Sequence, residues 1–230
     1  MKDTLIFIPA RSGSKRVKNK NIRIIKGWPL VLWTIKYAKK IAKNDQIVVS
    51  SDSKIIRNIS YKEKVTFIQR PKELSNDKAD VYYSLVHALK KIKDNHKYKY
   101  IALLQPTSPI RPLNLVKEAI SALKKNKKFK NLIHLEKTHI NIGSINKQNL
   151  WKVSNMGLKR TQDIKNQYRP SGCLFLYERK DFEKKSLFDK RKDYGFYKKK
   201  FMKTVNIDNE EDFLILQHLL KRHNILRSYK

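Results

Sequence analysis

The stretch Thr4-Leu5-Ile6-Phe7-Ile8-Pro9-Ala10-Arg11-Ser12-Gly13-Ser14-Lys15-Arg16 joins an apolar run to a polar, basic loop through a single proline. A short continuous apolar run bounded by a turn signal reads as a strand buried on both faces, the kind found in parallel sheets. The loop beyond it combines one glycine, two serine hydroxyls and three cations. Glycine lets a backbone approach a phosphate, and successive N–H groups form an anion-binding nest. Neither G-x-G-x-x-G nor G-x-x-x-x-G-K-[ST] is present, so the loop is not a standard dinucleotide or P-loop signature. Taken alone it reads equally as a surface connection.

The same strand–loop–helix rhythm continues outward. Pro29 opens a helix over Leu30 to Ala42. Gln46 to Ser50 is a second buried strand, and Ser51-Asp52-Ser53 reads as the cap of a short helix. Val65 to Ile68 is a third strand, Ala79 to Ile92 an amphipathic helix, and Tyr100 to Leu104 a fourth strand. Pro112 to Lys125 is a further helix, and Leu132-Ile133 begins a fifth strand. Alternation sustained over about 130 residues predicts an α/β fold with a mostly parallel sheet and helices on both faces. Residues 136–178 lose the rhythm and are predicted to be an irregular insertion with one strand-like piece, Cys173 to Tyr177. Thr204 to Ile207 reads as another short strand, and Asn209-Glu210-Glu211-Asp212 caps a last helix ending near His223. With no repeat or Gly/Ser-rich linker, residues 1–230 read as one domain.

Composition narrows the function classes. The chain has 230 residues, 53 of them basic and 20 acidic, for a formal charge of +33 with 40% apolar residues. The apolar share excludes a disordered basic tail. One cysteine, Cys173, excludes an internal disulfide framework and a cysteine-based zinc site. No apolar run reaches membrane-spanning length and the start carries no cleavable leader pattern, so a soluble protein of the reducing cytoplasm is expected, with no membrane partner. A charge of this size first suggests nucleic acid. The excess is mostly lysine, however, and it is dispersed (Lys39-Lys40, Lys90-Lys91, Lys124-Lys125, Lys198-Lys199-Lys200) rather than gathered with aromatics. Solvated faces and no specific nucleic-acid site are the expectation, with a field that draws polyanionic ligands toward any cleft.

Open α/β sheets bind ligands beyond the carboxyl ends of their strands. Four such ends carry polar or cationic groups: the 11–16 loop, Ser50 to Ser53, Gln69-Arg70-Pro71 followed by Asp77, and Leu104-Gln105-Pro106-Thr107-Ser108-Pro109-Ile110-Arg111. Two prolines in that last run make a rigid turn. In Val205-Asn206-Ile207-Asp208, alternation puts Asn206 and Asp208 on one face. An acid in so basic a chain suggests a divalent-metal ligand beside phosphates; capping of the following helix by Asp208 or Asn209 is the competing reading. His87, His134 and His139 lack metal-ligand spacing and read as structural.

In order along the chain, IPARSGSKRVKNKNI (8–22), PLVLWTI (29–35), VVSSDS (48–53), RPKELSNDKAD (70–80), LLQPTSPIR (103–111), YRPSG (168–172) and VNIDNEEDF (205–213) resemble the acylneuraminate cytidylyltransferases, or CMP-sialic acid synthetases. Relatives that activate legionaminic, pseudaminic or 3-deoxy-manno-octulosonic acid look similar at this level. The resemblance implies a Rossmann-like nucleotidyltransferase fold and a homodimer held by an extended segment, here residues 136–178. It also implies transfer of CMP from CTP to a nine-carbon 2-keto sugar acid, with Mg²⁺ and release of pyrophosphate. Carried over position by position, Arg11, Ser14, Lys15, Lys20 and Asn21 hold the triphosphate and ribose, with Arg11, Lys20 and Asp208 carrying catalysis. Arg70 and Ala79 line the cytosine pocket, Gln105 and Arg169 meet the sugar acid, and Asp208 with Asn206 binds Mg²⁺. One departure stands out: the family often reads Asp-Ile-Asp where this chain has Asn206-Ile207-Asp208.

Overall fold

A computed structural model describes residues 1–14, 16–126, 129, 131–140, 143–145, 147, 151–153, 159–163, 167–182, 194–197 and 205–222. In chain order the elements are β1 (Thr4–Pro9), β2 (Ile24–Ile25), β3 (Trp28–Pro29), α1 (Leu30–Ile41), β4 (Ile47–Ser51), α2 (Lys54–Lys62), β5 (Thr66–Gln69) and α3 (Val81–Lys91). Then follow β6 (Tyr100–Leu103), α4 (Leu115–Lys125), β7 (Asn131–Lys137), β8 (Gly143–Ile145), β9 (Trp151–Val153), β10 (Tyr168–Glu178), α5 (Arg179–Phe182), β11 (Tyr194–Tyr197) and α6 (Glu210–Arg222).

Seven strands form the main sheet in the order β11-β7-β10-β6-β1-β4-β5. The pairs β1–β4, β1–β6, β4–β5 and β7–β11 are parallel, and β10 runs antiparallel between β6 and β7. Strand β1 is buried because both its neighbours and both its faces are covered. Leu5 and Phe7 pack on one face with Val48, Ile101, Leu103 and the α3 residues Leu85 and Ala88. Ile6 and Ile8 face the other way, against Trp33, Ile35, Ile56, Val116 and Leu216 from α1, α2, α4 and α6. Continuous hydrophobicity in the 4–8 run is therefore what a two-sided environment requires.

Chain order reverses on either side of β1, since β4 lies on one flank and β6 on the other. Their carboxyl ends diverge into loops there, which is the topological switch point where open sheets place ligands. Three short features frame it. The β2–β3 hairpin turns on Lys26 and Gly27, at φ 51° and 82°, the left-handed pair that a two-residue hairpin needs. Ser53 caps α2 by accepting from Ile56 N–H, and Asp80 caps α3 by accepting from Tyr82 N–H. Strand β10 carries a bulge: its register against β7 slips between Pro170 and Phe175.

Two expectations change. Residues 205–208 form no strand: Ile207 N–H makes one backbone bond, to the Thr107 carbonyl at 2.8 Å, without a ladder; Thr204 lies outside the described residues. The irregular stretch begins later and ends sooner than 136–178, because β7 runs through Lys137 and β10 occupies a central place in the sheet from Tyr168. The α6 helix runs to Arg222, in keeping with the expected end near His223, which itself lies outside the described residues. No helix among the described residues is long and apolar enough to cross a membrane.

Phe7 has no exposed surface and touches both flanking strands, so Phe7→Ala is expected to lower unfolding free energy by about 3–5 kcal/mol. Exposed Leu214→Ala is expected to stay within about 0.5 kcal/mol. Urea denaturation of the two variants checks the assignment of β1 as the sheet's centre; equal, small losses would refute it.

Candidate active site

A cleft of about 680 Å³ opens at the carboxyl ends of β1 and β6. Its lining brings together Arg11, Ser14, Lys20, Asn21, Arg70, Ala79, Gln105, Asn206 and Asp208, nine positions singled out from the sequence and drawn from four separate stretches. Lys15 lies outside the described residues. Arg169 is elsewhere: it lines an adjoining cavity of about 530 Å³ that shares Asn206 and Asp208 with the cleft. There its guanidinium pairs with Glu136, Nε donating at 2.6 Å.

Local structure explains each placement. Asn19 adopts left-handed backbone, φ 54°, and starts a 3-10 turn over Lys20–Ile22. That turn folds the basic loop back on β1, where the Asn21 amide donates to the Arg11 carbonyl at 2.9 Å. Asn21 is buried, and its Oδ1 has no hydrogen-bond partner, an acceptor at the cleft wall that a ligand hydroxyl or amine would satisfy. The loop's start is tied to β4: Ser12 N–H donates to Asp52 Oδ1 at 2.7 Å and its hydroxyl donates to Asp52 Oδ2. Asp52 is thus a brace for the loop, while the helix cap falls to Ser53. Across the cleft, Arg11 pairs with Asp77 at 2.5 Å.

Arg70 is buried, donating from Nη2 to the Ser50 carbonyl at 2.6 Å and from Nε to Ser50 Oγ at 3.1 Å. Burial pushes its pKa down to about 10, against the pull of Asp52 and with some help from Arg11, so it stays charged at neutral pH. Lys20 is also sequestered. Its Nζ donates to the Ile207 carbonyl at 2.6 Å and lies 3.9 Å from Asp208. Burial lowers its pKa below the usual 10.5; Arg16 and Arg11 lower it further, while Asp208 and Asp212 oppose. Four cations, Arg11, Arg16, Lys20 and Arg70, share the cleft with two carboxylates, Asp77 and Asp208. Such an excess in a low-dielectric recess is an anion site.

The competing readings of the 205–212 stretch are resolved by hydrogen bonds. Asn209 Oδ1 accepts from Asp212 N–H at 2.9 Å, and Asp212 Oδ2 accepts from Asn209 N–H at 2.9 Å and Asp208 N–H at 2.7 Å. This reciprocal capping box starts α6 without Asp208. The Asp208 side chain instead faces the cleft, 3.2 Å from Arg16 Nη2, a partner that spacing did not single out. Asn206 Nδ2 donates to Asp208 Oδ2 at 2.7 Å. The bulge of β10 closes the floor. Gly172 has φ +74°, and a Cβ there would stand 2.5 Å from Ser108 Oγ and 2.9 Å from Gln105 Oε1; only glycine fits without moving Gln105. Cys173 is fully buried beneath it and its thiol is pushed up by that burial, away from reactivity.

The cytidylyltransferase family model matches residues 5–229. The chain belongs to the cytidylyltransferase family. It is 28% identical to the N-acylneuraminate cytidylyltransferase of Streptococcus agalactiae serotype V over 223 residues, 94% of this chain and 53% of that relative. Over 119 residues, 50% of this chain and 51% of the relative, it is 37% identical to the CMP-N,N'-diacetyllegionaminic acid synthase of Legionella pneumophila. This cytidylyltransferase chain thus spans about half the length of these curated relatives. Among solved structures, CMP:2-keto-3-deoxy-manno-octonic acid synthetase complexed with CTP superimposes with a TM-score of 0.68 at 15% identity, covering 95% of this chain and 98% of the other. That likeness confirms the nucleotidyltransferase-like α/β fold.

Burying Lys20 works against folding. Its lowered pKa means the unfolded chain holds that proton more tightly, so the penalty is present in full at neutral pH and shrinks as pH rises toward 10.5. Lys20→Met is therefore expected to unfold at the same temperature or a higher one at pH 7, with that advantage fading toward pH 10, while kcat/KM falls roughly 10²-fold or more. Calorimetry and steady-state rates on one preparation check both; a destabilised, fully active variant would remove Lys20 from the site.

Proposed function

We propose that this cytidylyltransferase activates a nine-carbon 2-keto sugar acid of the sialic, legionaminic or pseudaminic type with CTP, in the cytoplasm and as a homodimer. The observation that carries the reading is the convergence of Arg11, Arg16, Lys20 and Arg70 on one cleft at the switch point, facing Asp208. A triphosphate is the ligand chemistry such a cation cluster suits, and the names of the relatives supply the base and the class of acceptor.

In the proposed reaction the sugar's anomeric hydroxyl attacks the α-phosphorus of CTP in line. The new P–O bond forms as the bond to the oxygen bridging to the β-phosphate breaks. Pyrophosphate leaves with that electron pair, and the hydroxyl proton passes to solvent. Arg11, Lys15 and Lys20 stabilise charge that grows on the departing phosphates. Ser14 and Asn21 hold phosphate and ribose, and the orphaned Asn21 Oδ1 accepts from a ribose hydroxyl. Arg70 and Ala79 bound the cytosine pocket. Gln105 orients the sugar acid in the cleft, and Arg169 offers its guanidinium to the sugar carboxylate from the adjoining cavity. Positioning and electrostatics supply most of the acceleration, as in phosphoryl transfer generally.

The residues present fit Mg²⁺: one cleft-facing carboxylate, Asp208, stands beside cations suited to phosphates, and Mg²⁺ commonly takes one or two carboxylates plus phosphate oxygens. When bound there it would polarise the phosphoryl oxygens.

A panel of CTP, UTP and GTP against N-acetylneuraminic, legionaminic, pseudaminic and 3-deoxy-manno-octulosonic acids, followed by pyrophosphate release, tests the reading. Turnover with CTP and a nine-carbon acid is expected, lowered roughly 10²-fold or more by Asp208→Ala. No release with any pair, alongside tight nucleic-acid binding with a steep salt slope, would overturn it.

A further inference from the structure

Asn206 is engaged at both ends of its carboxamide. Its Nδ2 donates to Asp208 Oδ2 at 2.7 Å, and its Oδ1 lies 3.2 Å from Ser108 Oγ, a fully buried hydroxyl whose single proton is shared between Asn206 Oδ1 and the Ser171 carbonyl at 2.9 Å. The amide orientation follows from chemistry: only an N–H₂ is stable against a carboxylate at that distance. Asp208 therefore receives hydrogen bonds or charge from three groups, Asn206, Arg16 at 3.2 Å and Lys20 at 3.9 Å. Two of these are cations, and no group of three or more His, Cys, Asp or Glu side chains able to hold a metal occurs among the described residues. A free divalent cation approaching Asp208 meets more positive than negative charge. Added nucleotide phosphates reverse that balance.

We propose that Asn206 is a positioning residue and not a metal ligand: it relays the buried Ser108 to Asp208, holding the carboxylate so that a divalent cation is taken up together with nucleotide phosphates and not by the free chain. The inference rests on the proposed CTP reading for the identity of the nucleotide, but the bridge itself does not. The Ser108–Asn206–Asp208 line links the β6 loop to the start of α6 across the cleft floor. Removing either of its first two members leaves Asp208 oriented only by the exposed Arg16 at 3.2 Å and by Lys20 at 3.9 Å, cations that the incoming phosphates compete for. Placing a second carboxylate at 206 does the opposite, since two adjacent acids are relieved by sharing a cation.

The test uses the full chain and Mn²⁺ as a spectroscopic stand-in for Mg²⁺, followed by electron paramagnetic resonance. Without nucleotide, the unaltered chain is expected to show no saturable site below about 1 mM, the weak end of carboxylate sites, and Asn206→Asp to bind at least roughly tenfold more tightly. With CTP present, Asn206→Ala is expected to weaken Mn²⁺ binding roughly tenfold, while CTP affinity in EDTA stays within about twofold. Ser108→Ala keeps Asn206 and removes only its anchor, and is expected to give a smaller loss of the same kind if Asn206→Ala does not fold. Micromolar Mn²⁺ binding by the unaltered chain alone, an Asn206→Asp variant no tighter than it, or unchanged Mn²⁺ affinity in both deletion variants would each overturn the proposal. Absence of CTP binding in EDTA would instead overturn the cytidylyltransfer reading, and the nucleotide-free comparison would still decide the role of Asn206.

Discussion

The guanidinium of Arg111 is the fastening on which the site's geometry depends. It is nearly fully buried, yet it donates from Nε to the Cys173 carbonyl at 2.8 Å, from Nη1 to Thr34 Oγ1 at 3.1 Å and from Nη2 to the Gln105 carbonyl. It also lies over the ring of Tyr37, whose hydroxyl donates to the Pro112 carbonyl at 2.9 Å. Burying a guanidinium is unfavourable unless protein acceptors replace its water, so each of these bonds holds its element in place. They come from α1, from the loop after β6, and from the bulge of β10. One side chain thereby fixes an antiparallel strand against a parallel one at the level of the cleft floor. With β10 held there, Gly172 must approach Ser108 and Gln105, and Ser108 in turn reaches Ser171 and Asn206.

The cleft illustrates why binding and folding pull apart. A core optimised for stability would not sequester Lys20 and Arg70 among other cations. Both are held by neutral acceptors, the Ile207 carbonyl and Ser50, and both have pKa values displaced downward by burial. Hydrogen bonds to carbonyls keep such cations in place without neutralising them, whereas an ion pair would. Arg11 and Arg16, nearer the rim, make the closer pairs with acids, Asp77 at 2.5 Å and Asp208 at 3.2 Å, while Lys20 stands 3.9 Å from Asp208. The result is graded: permanent positive charge at the floor, and positive charge that exchanges partners at the mouth when phosphates enter.

Much of this was legible in the residues, for identifiable physical reasons. The run Leu5 to Ile8 reads as a two-sided strand because burial on both faces removes any polar alternation, and Pro29 and Ser53 mark helix starts through backbone chemistry that acts locally; Asp80, the cap of α3, falls inside the helix expected to begin at Ala79. The convergence of Arg11, Arg70 and Gln105 followed from the rule that parallel strands present their carboxyl ends to one edge, whereas the roles of Lys20 and Asp208 came with the family resemblance. What escaped was non-local. Insertion of β10 between β6 and β7 depends on pairing across many residues and on a bulge that no short window encodes. The β2–β3 hairpin turns on Lys26-Gly27, a weaker signal than Asn-Gly. Residues 205–208 look like a strand by alternation, but the single bond to Thr107 shows an extended tether. Asp52 and Asp77 gave no spacing signal, since each matters through a partner on a distant loop, Ser12 for Asp52 and Arg11 for Asp77.

The overall charge of +33 and the cleft's four cations belong to different physical scales. Dispersed lysines act through a screened field that fades over about 8–10 Å in physiological salt, so they guide polyanions toward the molecule without choosing among them. Choice resides where water is excluded and donors are fixed: the buried Asn21, the Arg70–Ser50 pair and the bridge from Ser108 to Asp208. A lysine on an exposed helix face is interchangeable with its neighbours. Asp208, freed by the Asn209–Asp212 capping box from any duty in starting α6, is not, because its carboxylate faces both Arg16 and Lys20 across the cleft. Selectivity in so basic a protein thus rests on a carboxylate, its orientation and the amide that holds it.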